Sequence, residues 1–413
     1  MTVDEDIDLV SPIDVGLDTT RLRRLRRYLD DLVAADRLPG WTVAISRRGE
    51  LAYRASGGFR DREAGLPVEP DTIFRLWSMT KPVTSVAAMI LVEEGLLSLQ
   101  DPVSQYIPEF ANTRVYRRGP LSRPVTDPLT EPIRVWHLLT HTSGLTYGFH
   151  RAHPVDELYT AAGYEWSTPP GLSLAECCAA WAEMPLLFQP GTAWNYGVSS
   201  DVLGRVIEVV SGQSLDRFFA DRIFTPLGMR DTGFVVDAAD KDRLAAFYVV
   251  DPASGRAVRN DGLGVMGTVP PSCLSGSAGL VSTLNDYLRF GQLLLNRGEL
   301  DGVRLLGART VDYMVRNHLP GGADLKAVGR PVFSEMPWEG VGFGLGFAVV
   351  LDSARTKVPS SDGEYGWHSA ASTIFWVDPR EEITVVFLSQ LMPSSALPLH
   401  SRLRQFVHQA IVD

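Results

Sequence analysis

Lysine is the scarcest charged residue in this chain. Of 39 lysines and arginines among 413 residues, only four are lysine: Lys81, Lys241, Lys326 and Lys357. Cysteine is rarer still, with Cys177, Cys178 and Cys273. An odd count with two neighbours excludes a regular disulfide framework, and the spacing does not match a zinc site. An excess of positive charge is missing too. The net charge is −10 and the pI is near 5.4, which argues against nucleic-acid binding. The most basic stretch, RLRRLRR at 21–27, is broken by leucines and reads as the solvated face of an amphipathic helix. No apolar run approaches the ~18 residues that would span a bilayer. The opening MTVDEDIDLV is acidic and lacks the basic-then-apolar order of a secretory signal. The expected setting is therefore the cytoplasm.

What is present reads as a large α+β protein. TTRLRRLRRYLDDLVAADRL (19–38) has leucines at helical spacing, with threonines available as caps. TVAISRRGELAYRASG (42–57) reads as two strands around a glycine turn. A helix follows over about 79–94, with Pro82 in its first turn and Gly95 at its end. The middle is mostly helical, carrying IRVWHLLTH, SLAECCAAWAEM, SSDVLGRVIEVVSG and LDRFFADRIFTPLGM. STLNDYLRFGQLLLNRG (282–298) is a capped helix. Strand-like runs come next at 341–351, 372–378 and 382–390, then a final helix near 395–411. The economical architecture is one antiparallel sheet built from both ends of the chain and flanked by helices. Its boundaries would be 1–100 with 265–413, and 101–264 would be an inserted helical domain. A cleft between two such parts is a usual place for a small-molecule site.

RLWSMTKPVTS (75–85) puts one of the four lysines at a costly place. Ser78 and Lys81 are three apart at a helix start, so they share a face. A serine hydroxyl becomes a nucleophile only when a base takes its proton. Lysine can be that base if its pKa falls from about 10.4 toward neutrality. Apolar neighbours (Trp77, Val83, Val86) would desolvate the ammonium, and the helix dipole disfavours a cation there. The spacing alone is weak, since average composition gives it roughly one time in four.

Longer blocks strengthen it. RLWSMTKPVTSVAAMILVEEGLLSLQDPVSQYIPEF resembles the serine–lysine segment of the β-lactamase-related serine hydrolases. That group includes class C β-lactamases, penicillin-binding D-alanyl carboxypeptidases and family VIII carboxylesterases. WHLLTHTSGL (136–145) is similar to a second signature. FQPGTAWNYGVSSDVLGRVIEVVSGQSL (188–215) resembles the segment bearing the family's catalytic tyrosine, here Tyr196. GWHSAASTIFWVDPREEITVVFLSQLMPS (366–394) resembles the last sheet strands. The likeness runs from about 20 to 410 with every block in order. It implies a β-lactamase/transpeptidase-like fold, attack by Ser78 on an acyl carbonyl, and proton transfer shared by Lys81 and Tyr196. It also implies an oxyanion hole from the N–H groups of Ser78 and Ala370. One such donor contributes roughly 3–4 kcal/mol to lowering the barrier. No cofactor and no metal are called for.

Two departures shift the expected substrate. The run Tyr196-Gly197-Val198 has valine where class C β-lactamases carry asparagine, and valine cannot bond a β-lactam's amide. The edge strand reads Trp367-His368-Ser369 where those enzymes carry a lysine facing the substrate carboxylate. Tryptophan offers apolar area and no charge. Both changes match the esterase branch, which often has Trp-Gly-Gly at this edge. His368 is then either a second proton carrier or a strand side chain, and Ser369 has no role assigned beyond lying at the substrate edge. The leading reading is a serine carboxylesterase acting on small, neutral esters with short or medium acyl chains. A β-lactamase or D-amino-acid peptidase or amidase would need a cation from elsewhere, such as Arg330 or Arg355. An acyltransferase differs only in the acceptor, and a non-catalytic binding protein is the reading from another class. Oligomeric state is open.

Other signals carry less. His137 and His141 are four apart but lack the intervening glutamate of a metalloprotease helix, so they read as structural. GLGVMG (262–267) follows no apolar strand and reads as a loop. In GFGLGF (342–347) the glycines let another backbone approach. No Gly-x-Ser-x-Gly elbow is present. Trp166, Trp194, Trp338 and Trp367 are candidates for an apolar acyl pocket, with Tyr147, Phe149 and Tyr164 behind them.

Overall fold

The structure is a computed structural model that describes residues 9–165, 168–330 and 338–413. Trp166 lies outside them. Helix α1 (Thr19–Ala34) precedes strands β1 (Gly40–Arg47), β2 (Glu50–Asp61) and β3 (Leu66–Pro67), and α2 spans Thr80–Glu93. The middle carries α3 (Val135–Leu139), α4 (Leu174–Glu183) and α5 (Ser199–Ser211). After α6 (Leu284–Leu295) come β4 (Val341–Phe343), β5 (Ala348–Val350), β6 (Tyr365–His368), β7 (Ile374–Asp378) and β8 (Ile383–Leu388). Helix α7 (Leu399–His408) ends the chain.

All eight strands join one sheet in the order β4-β5-β6-β7-β8-β1-β2-β3, and each pairing is antiparallel. The two ends of the chain meet where β1 pairs β8, Val43 lying opposite Phe387. Every residue of β1 and β8 is buried because helices cover both faces. On one face Leu22, Leu25 and Leu29 of α1 and Leu403 and Val407 of α7 pack on Val43, Trp376 and Phe387. On the other, Tyr287 and Phe290 of α6 and the apolar side of α2 pack on Phe375, Val386 and Leu388. The arginines of RLRRLRR face outward while its leucines are buried, as the amphipathic pattern requires.

Local details depart from the sequence reading. Helix α1 is capped by Asp18, whose carboxylate accepts the Arg21 N–H at 2.9 Å. The threonines sit inside the helix instead. Carboxylate one residue earlier wins because an ionised acceptor makes the stronger bond to an orphan N–H. Residues 341–351 form a hairpin, not one strand, turning at Gly344–Phe347. Gly346 has φ +98°, and a Cβ there would lie 2.0 Å from the Ser85 hydroxyl oxygen. Only glycine allows that turn to sit against α2. The middle also holds a hairpin, Arg114–Arg118 with Val125–Pro128, which no periodicity disclosed. Strand Tyr248–Val250 pairs Leu391–Met392 and Ala257–Arg259. Among the described residues, no helix is long and apolar enough to cross a membrane.

Candidate active site

Ser78 sits in a single turn of 3-10 helix, Trp77–Met79, that runs straight into α2. Trp77 before it holds φ +48°, a conformation uncommon for a bulky residue. Strain of this kind collects at functional sites. Ser78 stays partly exposed, whereas Lys81 is 2% exposed. The lysine Nζ lies 3.4 Å from Ser78 Oγ and donates to the Ser277 carbonyl at 3.0 Å. Among the described residues, no carboxylate comes within salt-bridge distance of it. Burial pulls its pKa down to about 7, and the charge of Asp201 partly offsets that.

Tyr196 lies in the turn before α5, and the Lys81 ammonium stands 4.5 Å from its ring centre. Trp367 Nε1 donates to the Tyr196 hydroxyl at 3.4 Å. Tyr147 closes the other side, its ring centre 5.6 Å from the ammonium and 5.4 Å from the Tyr196 ring. So Ser78, Lys81, Tyr196 and Trp367, far apart in the sequence, meet in one place. The turn bearing Ala370 is tethered there too, because the Thr373 hydroxyl donates to the carbonyl of Leu76 at 3.0 Å.

Two neighbours of Trp367 behave differently. His368 pairs with Ile374, which belongs to the face covered by α1 and α7, while Trp367 pairs with Phe375 on the other face. Strand alternation starts the two side chains on opposite faces, yet their ring centres lie only 5.0 Å apart. The His368 ring lies 5.3 Å from that of His400 on α7. Burial, then the charges of Arg404 and Lys81, hold its pKa down to about 3. A ring held so far below neutrality is poorly matched to carrying protons near pH 7. The Ser369 hydroxyl is 2.7 Å from the Thr373 hydroxyl and accepts the Ala371 N–H at 3.2 Å. It holds the turn, so its contribution to a substrate edge is indirect.

The histidine pair also separates. His137 Nδ1 accepts the Arg134 N–H at 2.9 Å and starts α3. His141 stands against Tyr196, ring centres 5.0 Å apart, and against Phe343 at 5.6 Å. Burial and the nearby lysine keep it neutral. Trp194 completes this wall, packing on Phe343 and Trp338. Phe149 stacks on Tyr147, and Tyr164 packs deeper, against Trp181. Arg355 is bound to Asp324 at 2.8 Å, and Arg330 lies over the Phe188 ring. Sequence reasoning missed Asp201 and Ser277. Asp201 is 4% exposed and accepts hydroxyl bonds from Ser275 and Ser277, both at 2.6 Å.

A family model described as Beta-lactamase matches residues 25–409. This chain belongs to the beta-lactamase family. Esterase EstB of Burkholderia gladioli is 32% identical over 402 residues, covering 92% of this chain and 93% of that protein. A lovastatin esterase of Penicillium rubens is 32% identical over 361 residues, covering 82% and 85%. Among solved structures, EstCE1, a hydrolase with promiscuous acyltransferase activity, superposes with a TM-score of 0.81. It is 27% identical and covers 94% of this chain and 99% of its own. The sheet with its helices is thus the β-lactamase/transpeptidase-like fold expected from the sequence.

Proposed function

We propose that this protein is a serine carboxylesterase that cleaves small, neutral esters through an acyl-enzyme on Ser78. One observation carries the reading. A buried lysine with its pKa drawn toward neutrality touches both the serine and the tyrosine, while the facing strand offers Trp367 and no cation. As an ammonium, Lys81 donates to Ser78. Once deprotonated, it can accept the serine proton across the same contact. Ser78 Oγ bonds to the ester carbonyl carbon, and its proton passes to Lys81 or Tyr196. The N–H groups of Ser78 and Ala370 are the proposed donors to the oxyanion. Collapse expels the alcohol, which takes that proton. Water then attacks the acyl-enzyme, and its proton returns the same way.

The aromatic wall of Tyr147, Trp194, Tyr196, Phe343 and Trp367 favours an uncharged substrate. Carboxylate-bearing β-lactams and D-peptides would need a cation, and Arg355 is engaged with Asp324. Acyl transfer to an alcohol uses the same acyl-enzyme, and the promiscuous acyltransferase activity of EstCE1 favours that second reading.

A panel of p-nitrophenyl acetate and butyrate, nitrocefin and a D-alanyl peptide, run on wild type and Ser78→Ala, tests the proposal. Ester turnover should dominate and vanish in the variant. Faster nitrocefin turnover, or full activity in Ser78→Ala, would refute it. Added alcohols separate transfer from hydrolysis by the products formed.

A further inference from the structure

Behind the lysine lies a buried acid that the reaction above does not use. Asp201, in the first turn of α5, is fully engaged with one short segment, Ser275–Ser277. Its Oδ1 accepts the Ser275 hydroxyl at 2.6 Å and the Ser277 N–H at 3.2 Å. Its Oδ2 accepts the Ser277 hydroxyl at 2.6 Å. The carbonyl of that same Ser277 receives the Lys81 ammonium at 3.0 Å. Thr84 of α2 fixes the segment from the other side, its hydroxyl donating to the Gly276 carbonyl at 2.6 Å. Gly276 makes this approach possible, since a Cβ there would lie 2.4 Å from the Ser200 carbonyl oxygen.

We infer that Asp201 is a positioning residue, which clamps the 275–277 segment so that the Ser277 carbonyl aims Lys81 at Ser78, and which supplies the lysine's countercharge. The inference rests on Lys81 being the proton carrier for Ser78. A carboxylate this buried is costly unless it is fully hydrogen-bonded. Burial raises its pKa, and the bonds from Ser275 and Ser277 and the Lys81 charge work against that, toward the carboxylate. An acid in direct contact would hold Lys81 as a permanent ammonium. One placed behind a carbonyl stabilises the cation without capturing it.

The other groups around the ammonium do not replace it. Tyr147 from the loop after α3 and Tyr196 present ring faces. His141 and His368, held neutral by burial, add no negative charge. Asp201 is the acid whose charge acts on the lysine against its burial.

The scarcity of lysine makes a direct test practical. With four lysines in the chain, 13Cε-lysine NMR gives four signals, and Lys81→Met identifies the one that matters. In Asp201→Asn, which keeps shape and loses charge, the Lys81 midpoint should fall by about one pH unit or more. The acid limb of kcat/KM for p-nitrophenyl butyrate should move with it. The kcat should drop by about tenfold or more, with KM little changed. A folded Asp201→Asn with an unmoved midpoint would overturn the inference, because a merely structural acid changes stability and not that titration.

If Asp201→Asn does not fold, Ser277→Ala serves instead. It keeps the charge and removes one bond of the clamp, and it should lower kcat at unchanged KM. Wild-type kcat there would overturn the clamp. The NMR titration needs no turnover. If wild-type Ser78 takes up no fluorophosphonate, the esterase reading fails while the titration still decides the role of Asp201.

Discussion

Two of the buried cations, one on each side of the sheet, are treated in opposite ways. On the α7 side, Arg404 donates to Glu364 at 2.6 Å, with Glu364 only 1% exposed. His408 lies 3.5 Å from the other Glu364 oxygen, and the Arg404 guanidinium stands 4.5 Å from the Trp376 ring centre. The Arg404 charge is matched by contact. On the α2 side, Lys81 meets a carbonyl, a hydroxyl and two ring faces, and its acid acts through an intermediary. Arg404 is held as a fixed ion that ties α7 to the sheet. Lys81 is kept where losing its proton is easy. The comparison separates groups arranged for stability from groups arranged for chemistry.

The largest effect should come from Lys81→Met. Ester turnover should fall by about a thousandfold or more, since the serine loses its proton carrier. Stability should hold or rise. A lysine at about 7 when folded and near 10.4 when unfolded carries a cost that is fully present below pH 7. That cost is relieved as pH rises toward the unfolded value. Removing the charge removes it, against the smaller loss of the bond to the Ser277 carbonyl. Urea unfolding at pH 7 checks this, and a marked destabilisation would break the comparison.

Arg404→Met should do the reverse. Leaving Glu364 buried without its partner should cost about 3–5 kcal/mol, while kcat per folded molecule stays near wild type. Next in size is the pH profile. If the neutral lysine is the active form, kcat/KM should climb with pH through about 7 and level off above it. Trp367→Lys should weaken neutral-ester turnover several-fold and improve turnover of carboxylate-bearing substrates, measured as the ratio of the two kcat/KM values. Smallest of all, His368→Phe should leave the pH profile of ester hydrolysis in place, because burial keeps that ring neutral across the working range.

Much of the site was legible because its members sit in recognisable blocks. Ser78, Lys81, Tyr196 and Trp367 each lie in a stretch that resembles the same family, in the same order. The sheet was legible because strands buried on both faces are continuous apolar runs, such as ITVVFL in β8. Asp201 was not legible. Its role depends on a strap 76 residues away, and a carboxylate at a helix start ordinarily reads as a dipole partner. His368 could not be assigned from its neighbourhood, because the sequence discloses neither its burial nor its contact with His400 of α7. The 341–351 hairpin was hidden by its glycines, which suit a close-packed strand and a tight turn equally well.

The central claim is that Ser78 is the nucleophile and depends on Lys81. It is tested most directly by treating wild type and Lys81→Met with a fluorophosphonate and mapping the adduct by peptide mass spectrometry. The account predicts a single adduct on Ser78 in wild type and almost none in the variant. An adduct on another residue, or equal labelling of Ser78 without Lys81, would contradict it.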